Sequence, residues 1–291
     1  MTAATETRPR RRPAIFAPPW RTAAGRFSWL KTVVLAGCIA PVPLILWQWH
    51  AGDFGGRPVH QAMLDTGFWA IRFLVLCLAV TPLRTLFDWP RVVMLRRMLG
   101  LAAAFYTIAH IVLYAADEGF ALGFVFDQMF SVFYLILGTI ATAGFIALAL
   151  TSTDAAVARL GRRWKKLHRL IYPIAALSLW HFFLTQKIDV SIAMVPTGLF
   201  VWLMLWRATP HVFRRSIAGL VVLAVGAAAI TAVGEAAWYA LNSGIDPVRV
   251  LAANLSTARP SAAVLVAADL ALLIVIVAVR RMQKHLGGAG G

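Results

Sequence analysis

The chain has 291 residues, 60% of them hydrophobic and only 14% charged, a balance that excludes an ordinary water-soluble domain and indicates a polytopic helical membrane protein. Its formal net charge is +16, but the basic residues fall in short clusters between apolar runs, where they set topology, so no nucleic-acid partner is expected. Cys38 and Cys77 both lie within apolar runs and form no CxxC motif, so they read as packed thiols rather than a disulfide framework.

The N-terminal stretch RPRRRPAIFAPPWR is basic and proline-rich. Residues 1–28 are expected to be a disordered cytoplasmic arm that can rest on anionic membrane lipid. No cleavable signal is expected, because the next apolar segment, Thr32 to Trp49, is long enough to stay in the bilayer. Apolar runs near membrane length follow at 31–50, 67–85, 98–116, 129–151, 170–187, 190–207, 216–240 and 261–280. The predicted fold is therefore all-α, a transmembrane bundle of eight helices. Residues 29–207 form a six-helix core, and 208–291 add two more helices and a short tail.

Alternate connections are rich in arginine and lysine: Arg84, Arg91, Arg96 and Arg97, then Arg159 to Arg169, then Arg207, Arg214 and Arg215, then Arg280, Arg281 and Lys284. The intervening connections hold only Arg57, Lys187, Arg249 and Arg259. The positive-inside bias predicts a multi-pass topology with both termini in the cytoplasm. The opposite face carries Asp53, Asp65, Asp117, Glu118, Asp127, Asp189 and Asp246, read as solvated loop carboxylates. No internal repeat is evident. There is also no glycine-rich phosphate motif between a strand and a helix, which argues against a fused nucleotide-binding domain.

Three histidines stand in or beside these runs. His110 lies in LAAAFYTIAHIVLYAA, and His168 and His181 in LHRLIYPIAALSLWHFFL. An imidazole in hydrocarbon is costly and needs a partner, often a metal centre between facing helices. The helix from Arg97 outwards puts His110 about 9 Å from its outer end at 1.5 Å per residue. The parallel helix from Arg169 to Lys187 puts His181 at nearly the same depth, so the two can serve as axial ligands of one haem iron. His168 lies about 20 Å lower, with Pro173 available to bend the helix between them. A second haem at that level would need a ligand where Arg96 and Arg97 stand, so His168 is readable either as a ligand or as an interfacial residue. Arg72 lies near the depth of His110 and His181, where it can neutralise haem propionates; alternatively it pairs with Asp269 or Glu235, or reaches for the interface. His50, His60, His211 and His285 are read as solvated.

Taken in order, TGFWAIRFLVLCLAVTPLR at 66–84, RRMLGLAAAFYTIAHIVLY at 96–114 and the block 160–187 with LHRLIYPIAALSLWHFFLTQK resemble the haem-binding membrane subunits of bacterial MsrPQ methionine-sulfoxide reductase systems, part of the ferric-reductase-like transmembrane group. The resemblance covers about residues 31–207. It implies that His110, His168 and His181 are the haem-associated histidines and that haem b and FMN are bound. It further implies that electrons pass from the cytoplasmic side to a periplasmic molybdopterin reductase that repairs oxidised envelope proteins. On this reading the chain is an electron-transfer subunit and not the catalytic one, with quinone or a cytosolic flavin reductase as donor. No residues are assigned to the flavin. The rival readings are another ferric or quinone reductase, a dehydrogenase's cytochrome b subunit, or an ion-coupled transporter using Arg72, Glu235 and Asp269.

Overall fold

The computed structural model describes residues 18–22, 25–186, 189–254 and 260–288. Most of the expected basic arm lies outside the described residues. The part that is described is ordered around an isolated antiparallel bridge between Arg21 and Phe27, with Lys31 Nζ donating to the Arg21 carbonyl at 2.7 Å.

Among the described residues eight helical segments are long and apolar enough to cross a membrane, and the protein is an all-helical, multi-pass membrane bundle. The first span is two helices, α1 (Trp29–Ile39) and α2 (Pro41–Ala51). It breaks where Pro41 and Pro43 cannot supply the N–H groups of a continuous ladder. The second span is α3 (Pro58–Leu86). A 3-10 turn, Pro90–Leu95, leads into α4 (Arg96–Asp117).

The fourth predicted run, 129–151, is corrected by the structure. A separate short helix, α5 (Leu122–Ser131), ends at extended Val132, and the span itself is α6 (Phe133–Leu150). On the arginine-rich side follow α7 (Asp154–Leu160), α8 (Arg162–Leu167) and a 3-10 turn, His168–Leu170, before α9 (Ile171–Thr185). Pro173 therefore falls in the first turn of α9, where its missing N–H has no helical acceptor to lose, and is not a mid-helix hinge. The chain continues through α10 (Ser191–Ala208), the short α11 (His211–Arg215), α12 (Ile217–Ser243), α13 (Pro247–Ala253) and α14 (Ala262–Gly288).

Packing is organised in pairs. Helix α3 lies along α4, and α6 along α9; α4 against α6 joins the two pairs, while α10 bridges α3 and α9 to α12 and α14. Small residues set the distances. A Cβ on Gly198 of α10 would strike Thr231 of α12 and come within 2.7 Å of Val266 of α14. That seam therefore closes only with glycine. At the arginine-rich end Pro82 removes one N–H from α3, and the carbonyl four residues earlier, on Leu78, is left without its helical donor. Arg207 of α10 supplies a substitute: its Nη2 donates to the Leu78 oxygen at 2.6 Å, while Nη1 donates to Leu203 at 2.7 Å. The proline thus becomes an attachment point between helices. Asp88, held at a left-handed φ of 48°, accepts from Arg215 at 2.9 Å and from Lys284 at 3.3 Å, tying the α3 exit to α11 and α14. Cys38 and Cys77 are buried free thiols, as expected.

Candidate functional site

His110 of α4 and His181 of α9 face each other, with ring centroids 6.4 Å apart and planes at 80°. The same local device holds each ring. His110 Nδ1 donates to the Met63 carbonyl of α3 at 2.8 Å, and His181 Nδ1 donates to the Tyr134 carbonyl of α6 at 2.7 Å. A carbonyl can only accept, so Nδ1 carries the proton in both rings and the Nε2 lone pair is left for a metal.

Glycine supplies the room. A Cβ on Gly67 would lie 3.0 Å from His110 Nδ1, and one on Gly138 would lie 3.0 Å from His181 Nδ1 and Cε1. Each glycine sits four residues after the accepting carbonyl, one helical turn along the same face, so the ring lies flat against a stretch of bare backbone.

The two half-sites share one spacing. Met63, Gly67 and His110 correspond to Tyr134, Gly138 and His181 at a constant offset of 71 positions (63 to 134, 67 to 138, 110 to 181), and each histidine bonds a carbonyl 47 residues before it. The same offset pairs buried Ala70 with Ala141 and buried Ala104 with Ala175. It also pairs Thr107 with Ser178, whose hydroxyls each donate to the carbonyl four residues back. What the two halves share is the spacing of these contacts, the interval from Gly67 to His110 equalling that from Gly138 to His181.

A metal–imidazole bond of about 2 Å and a ring radius of about 1.1 Å place the centroids of two axial imidazoles roughly 6.3 Å apart, and the observed 6.4 Å fits that arrangement. Among the described residues no group of three or more His, Cys, Asp or Glu side chains is gathered as a metal-ion site. Two imidazoles without a third protein donor suit a metal that brings its own equatorial ligands, as haem iron does.

His168 is held elsewhere. Its Nε2 lies 3.2 Å from the Thr151 hydroxyl, its ring stacks on Trp164 at 3.9 Å, and Trp164 Nε1 donates to the Thr151 carbonyl at 2.8 Å. By the 71-residue offset its counterpart is Arg97, whose Nη2 meets Asp154 at 2.6 Å. The spacing that matches two histidines at one level thus matches a histidine with an arginine at the other.

Arg72 is exposed on α3 with its guanidinium 4.7 Å over Trp69 and 5.9 Å from Phe68. Phe68 in turn packs edge-on against Phe182, beside His181, at 5.0 Å. Among the described residues Arg72 forms no ion pair with Asp269 or Glu235. Asp269 is exposed on α14, and Glu235 is buried with Oε1 accepting from Ser191 at 3.1 Å. These three charges are not brought together, which removes the geometric basis for an ion path. His60 is corrected as well. It lies in the first turn of α3 and shares the Asp117 carboxylate, at 2.8 Å, with Arg57 at 2.9 Å. The largely buried Asp117 carboxylate, between two helix ends, thus finds two partners, the Arg57 guanidinium and the His60 ring.

Comparison with known proteins bears on the same segments. The family profile described as "Ferric reductase like transmembrane component" matches residues 66–179, which contain His110, His168 and the two cradle glycines and end two residues before His181. The chain is 37% identical over 194 residues to the protein-methionine-sulfoxide reductase heme-binding subunit MsrQ of Xanthomonas oryzae pv. oryzae, covering 64% of this chain and 88% of that protein. The subunits of the same name from Caulobacter vibrioides and Rhodospirillum rubrum are each 35% identical, over 60% and 64% of this chain and 84% and 90% of theirs. No solved structure matches. With nearly the whole length of these relatives aligned, the chain belongs to the MsrQ family of heme-binding subunits, in the ferric-reductase-like transmembrane group.

Proposed function

We propose that this chain is a haem b electron-transfer subunit in which His110 and His181 are the axial ligands. The observation that carries this is the pair itself: two imidazoles at axial spacing, each with Nδ1 fixed on a backbone carbonyl and each resting on a glycine. Haem held there would supply one-electron chemistry. The protein's own residues do the rest. Met63 and Tyr134 fix the tautomer and raise ligand basicity through their hydrogen bonds. Gly67 and Gly138 set the ring positions. Arg72, stacked on Trp69, offers charge-assisted donors to a propionate.

The name shared by these relatives supports service to a methionine-sulfoxide reductase. On this reading the subunit sits in the bacterial inner membrane with both termini in the cytoplasm, as the arginine distribution favours. Electrons enter on the arginine-rich side from quinone or a cytosolic flavin reductase, with FMN as a further cofactor. They leave near His110 and His181 toward a periplasmic molybdopterin-containing reductase. His168, near the entry side, is the remaining haem-associated residue.

The test is a visible absorption spectrum of the purified protein, oxidised and dithionite-reduced. A haem b spectrum with bis-histidine character is expected, lost in His110→Ala and in His181→Ala. A protein purified with haem supplied that shows no haem absorption would overturn the assignment, and a single-histidine variant with an unaltered spectrum would overturn the pairing. Co-purification with a periplasmic molybdoenzyme separates this reading from other ferric or quinone reductases.

A further inference from the structure

At the arginine-rich end, a cavity of about 390 Å³ opens between α3, α9, α10 and α11, lined by Thr81, Thr85, Tyr172, Trp206, Arg207 and Arg214, with Met204 at its wall. It is separate from the histidine pair. Thr81 and Thr85 stand in the last turns of α3, Tyr172 in the first turn of α9, and Trp206 and Arg207 in the last turn of α10. All of these are helix ends at the level where a bilayer presents its headgroups.

The charges here are uncompensated. Elsewhere at this end Arg97 has Asp154, and Arg215 and Lys284 share Asp88. Among the described residues neither Arg207 nor Arg214 has a carboxylate partner. Arg207 spends two N–H groups on the Leu78 and Leu203 carbonyls, which fixes its guanidinium but leaves its charge. Arg214 stacks on Trp206 at 4.5 Å, and Arg207 lies 5.4 Å from the Tyr172 ring. A guanidinium stacked on an aromatic face turns its edge outwards and is pre-organised for a planar or tetrahedral oxyanion. The Arg214 Nε is buried with no hydrogen-bond partner. An orphaned cationic donor is costly unless something accepts from it.

We propose that this cavity binds a phosphate group, presented either by an anionic phospholipid headgroup or by soluble phosphate, with Arg214 as the principal donor, Arg207 as a fixed second charge and Thr85 as a neutral contact. Two arginines on aromatic supports beside hydroxyls form a phosphate-recognition set, and basic pockets between membrane helices on the cytoplasmic side take anionic headgroups. The volume lies within the range of small-ligand sites. Occupancy would brace the Leu78–Arg207 attachment and hold α11 against the bundle.

The experiment uses the full-length protein. It is delipidated in detergent and returned to nanodiscs of phosphatidylcholine alone or with phosphatidylglycerol, and retained lipid is read by native mass spectrometry. Inorganic phosphate is titrated in a parallel thermal-melt series. The wild type should retain phosphatidylglycerol at least about tenfold over phosphatidylcholine, and Arg214→Gln should abolish that preference while Arg280→Gln, at the same end, keeps it. A phosphate-dependent rise in melting temperature without lipid retention, lost in Arg214→Gln, assigns the site to soluble phosphate. If Arg214→Gln does not give a monodisperse protein, Arg214→Lys and Thr85→Val replace it, each with weakened retention expected. Retention of both lipids alike with no phosphate response, or responses identical in wild type and variants, overturns the proposal.

Discussion

Gly138→Ala separates the cradle from the fold. The added Cβ would stand 3.0 Å from His181 Nδ1 and Cε1 and 3.3 Å from Cγ, where carbon contacts relax to about 3.5–4.0 Å. The imidazole must retreat by roughly half an ångström, and because Nδ1 sits 2.7 Å from the Tyr134 oxygen, that bond lengthens toward the about 3.2 Å limit of a good N–H···O contact. Weakening it costs about 0.5–1.5 kcal/mol, while replacing glycine by alanine inside a helix returns about 0.8–1 kcal/mol. The apoprotein should therefore melt within about 1 kcal/mol of wild type, by the difference of those two terms. Haem binding has no such offset. Loss of an outer-shell partner typically lowers metal affinity about 10–100-fold, so haem transfer to an excess of a soluble acceptor should accelerate by about tenfold or more. Gly226→Ala, whose Cβ meets nothing within 4 Å, is the control. If Gly138→Ala retains haem as well as Gly226→Ala does, the cradle argument is wrong.

Gly198→Ala should do the opposite, destabilising the fold by about 1–3 kcal/mol through overpacking of the α10, α12 and α14 seam. Denaturant-dependent loss of helicity measures it, and an unchanged midpoint would show that the seam relaxes freely. On the proposed reading Arg72 serves a propionate and not the iron, so Arg72→Gln should lower haem retention while leaving the bis-histidine spectrum intact; an altered ligand spectrum would refute that placement. The hydrogen bond from Lys284, with the charges of Lys284 and Arg215, holds the Asp88 carboxyl below its ordinary value. A depressed folded-state value means that the clamp's contribution is present above the unfolded carboxylate value, about pH 4, and is lost as pH falls through the lower folded value. Asp88→Asn should then cost no more than about 0.5–1 kcal/mol at neutral pH, given the exposure of the pair. The difference from wild type should shrink as pH falls below that unfolded value and disappear only below the lower folded one, as read by a series of melts from pH 7 into acid; a difference that does not shrink in acid would mean the carboxylate's charge is not its source.

Eight spans and the pairing of depth between His110 and His181 were legible in the sequence, because hydrocarbon thickness fixes run length and a constant rise per residue converts position into height. Chain composition likewise excluded a soluble domain. Azimuth was not legible. Which carbonyl receives each Nδ1, and why Gly67 and Gly138 must be bare, depends on how α3 meets α4 and how α6 meets α9, a matter of side chains dozens of residues apart in the chain. The breaks at Val132 and before Ile171 were also hidden, since apolar runs on either side of a short break read as one. His60 looked like a solvated loop residue until the end of α4 brought Asp117 to it. Arg207 looked like a topological anchor until Pro82, on another helix, left it a carbonyl to hold. In a membrane, hydropathy determines that a helix spans and at what level each residue lies; only interhelical packing decides which residues at one level meet, because lipid rewards every apolar face alike and small residues and stray polar groups alone discriminate between neighbours.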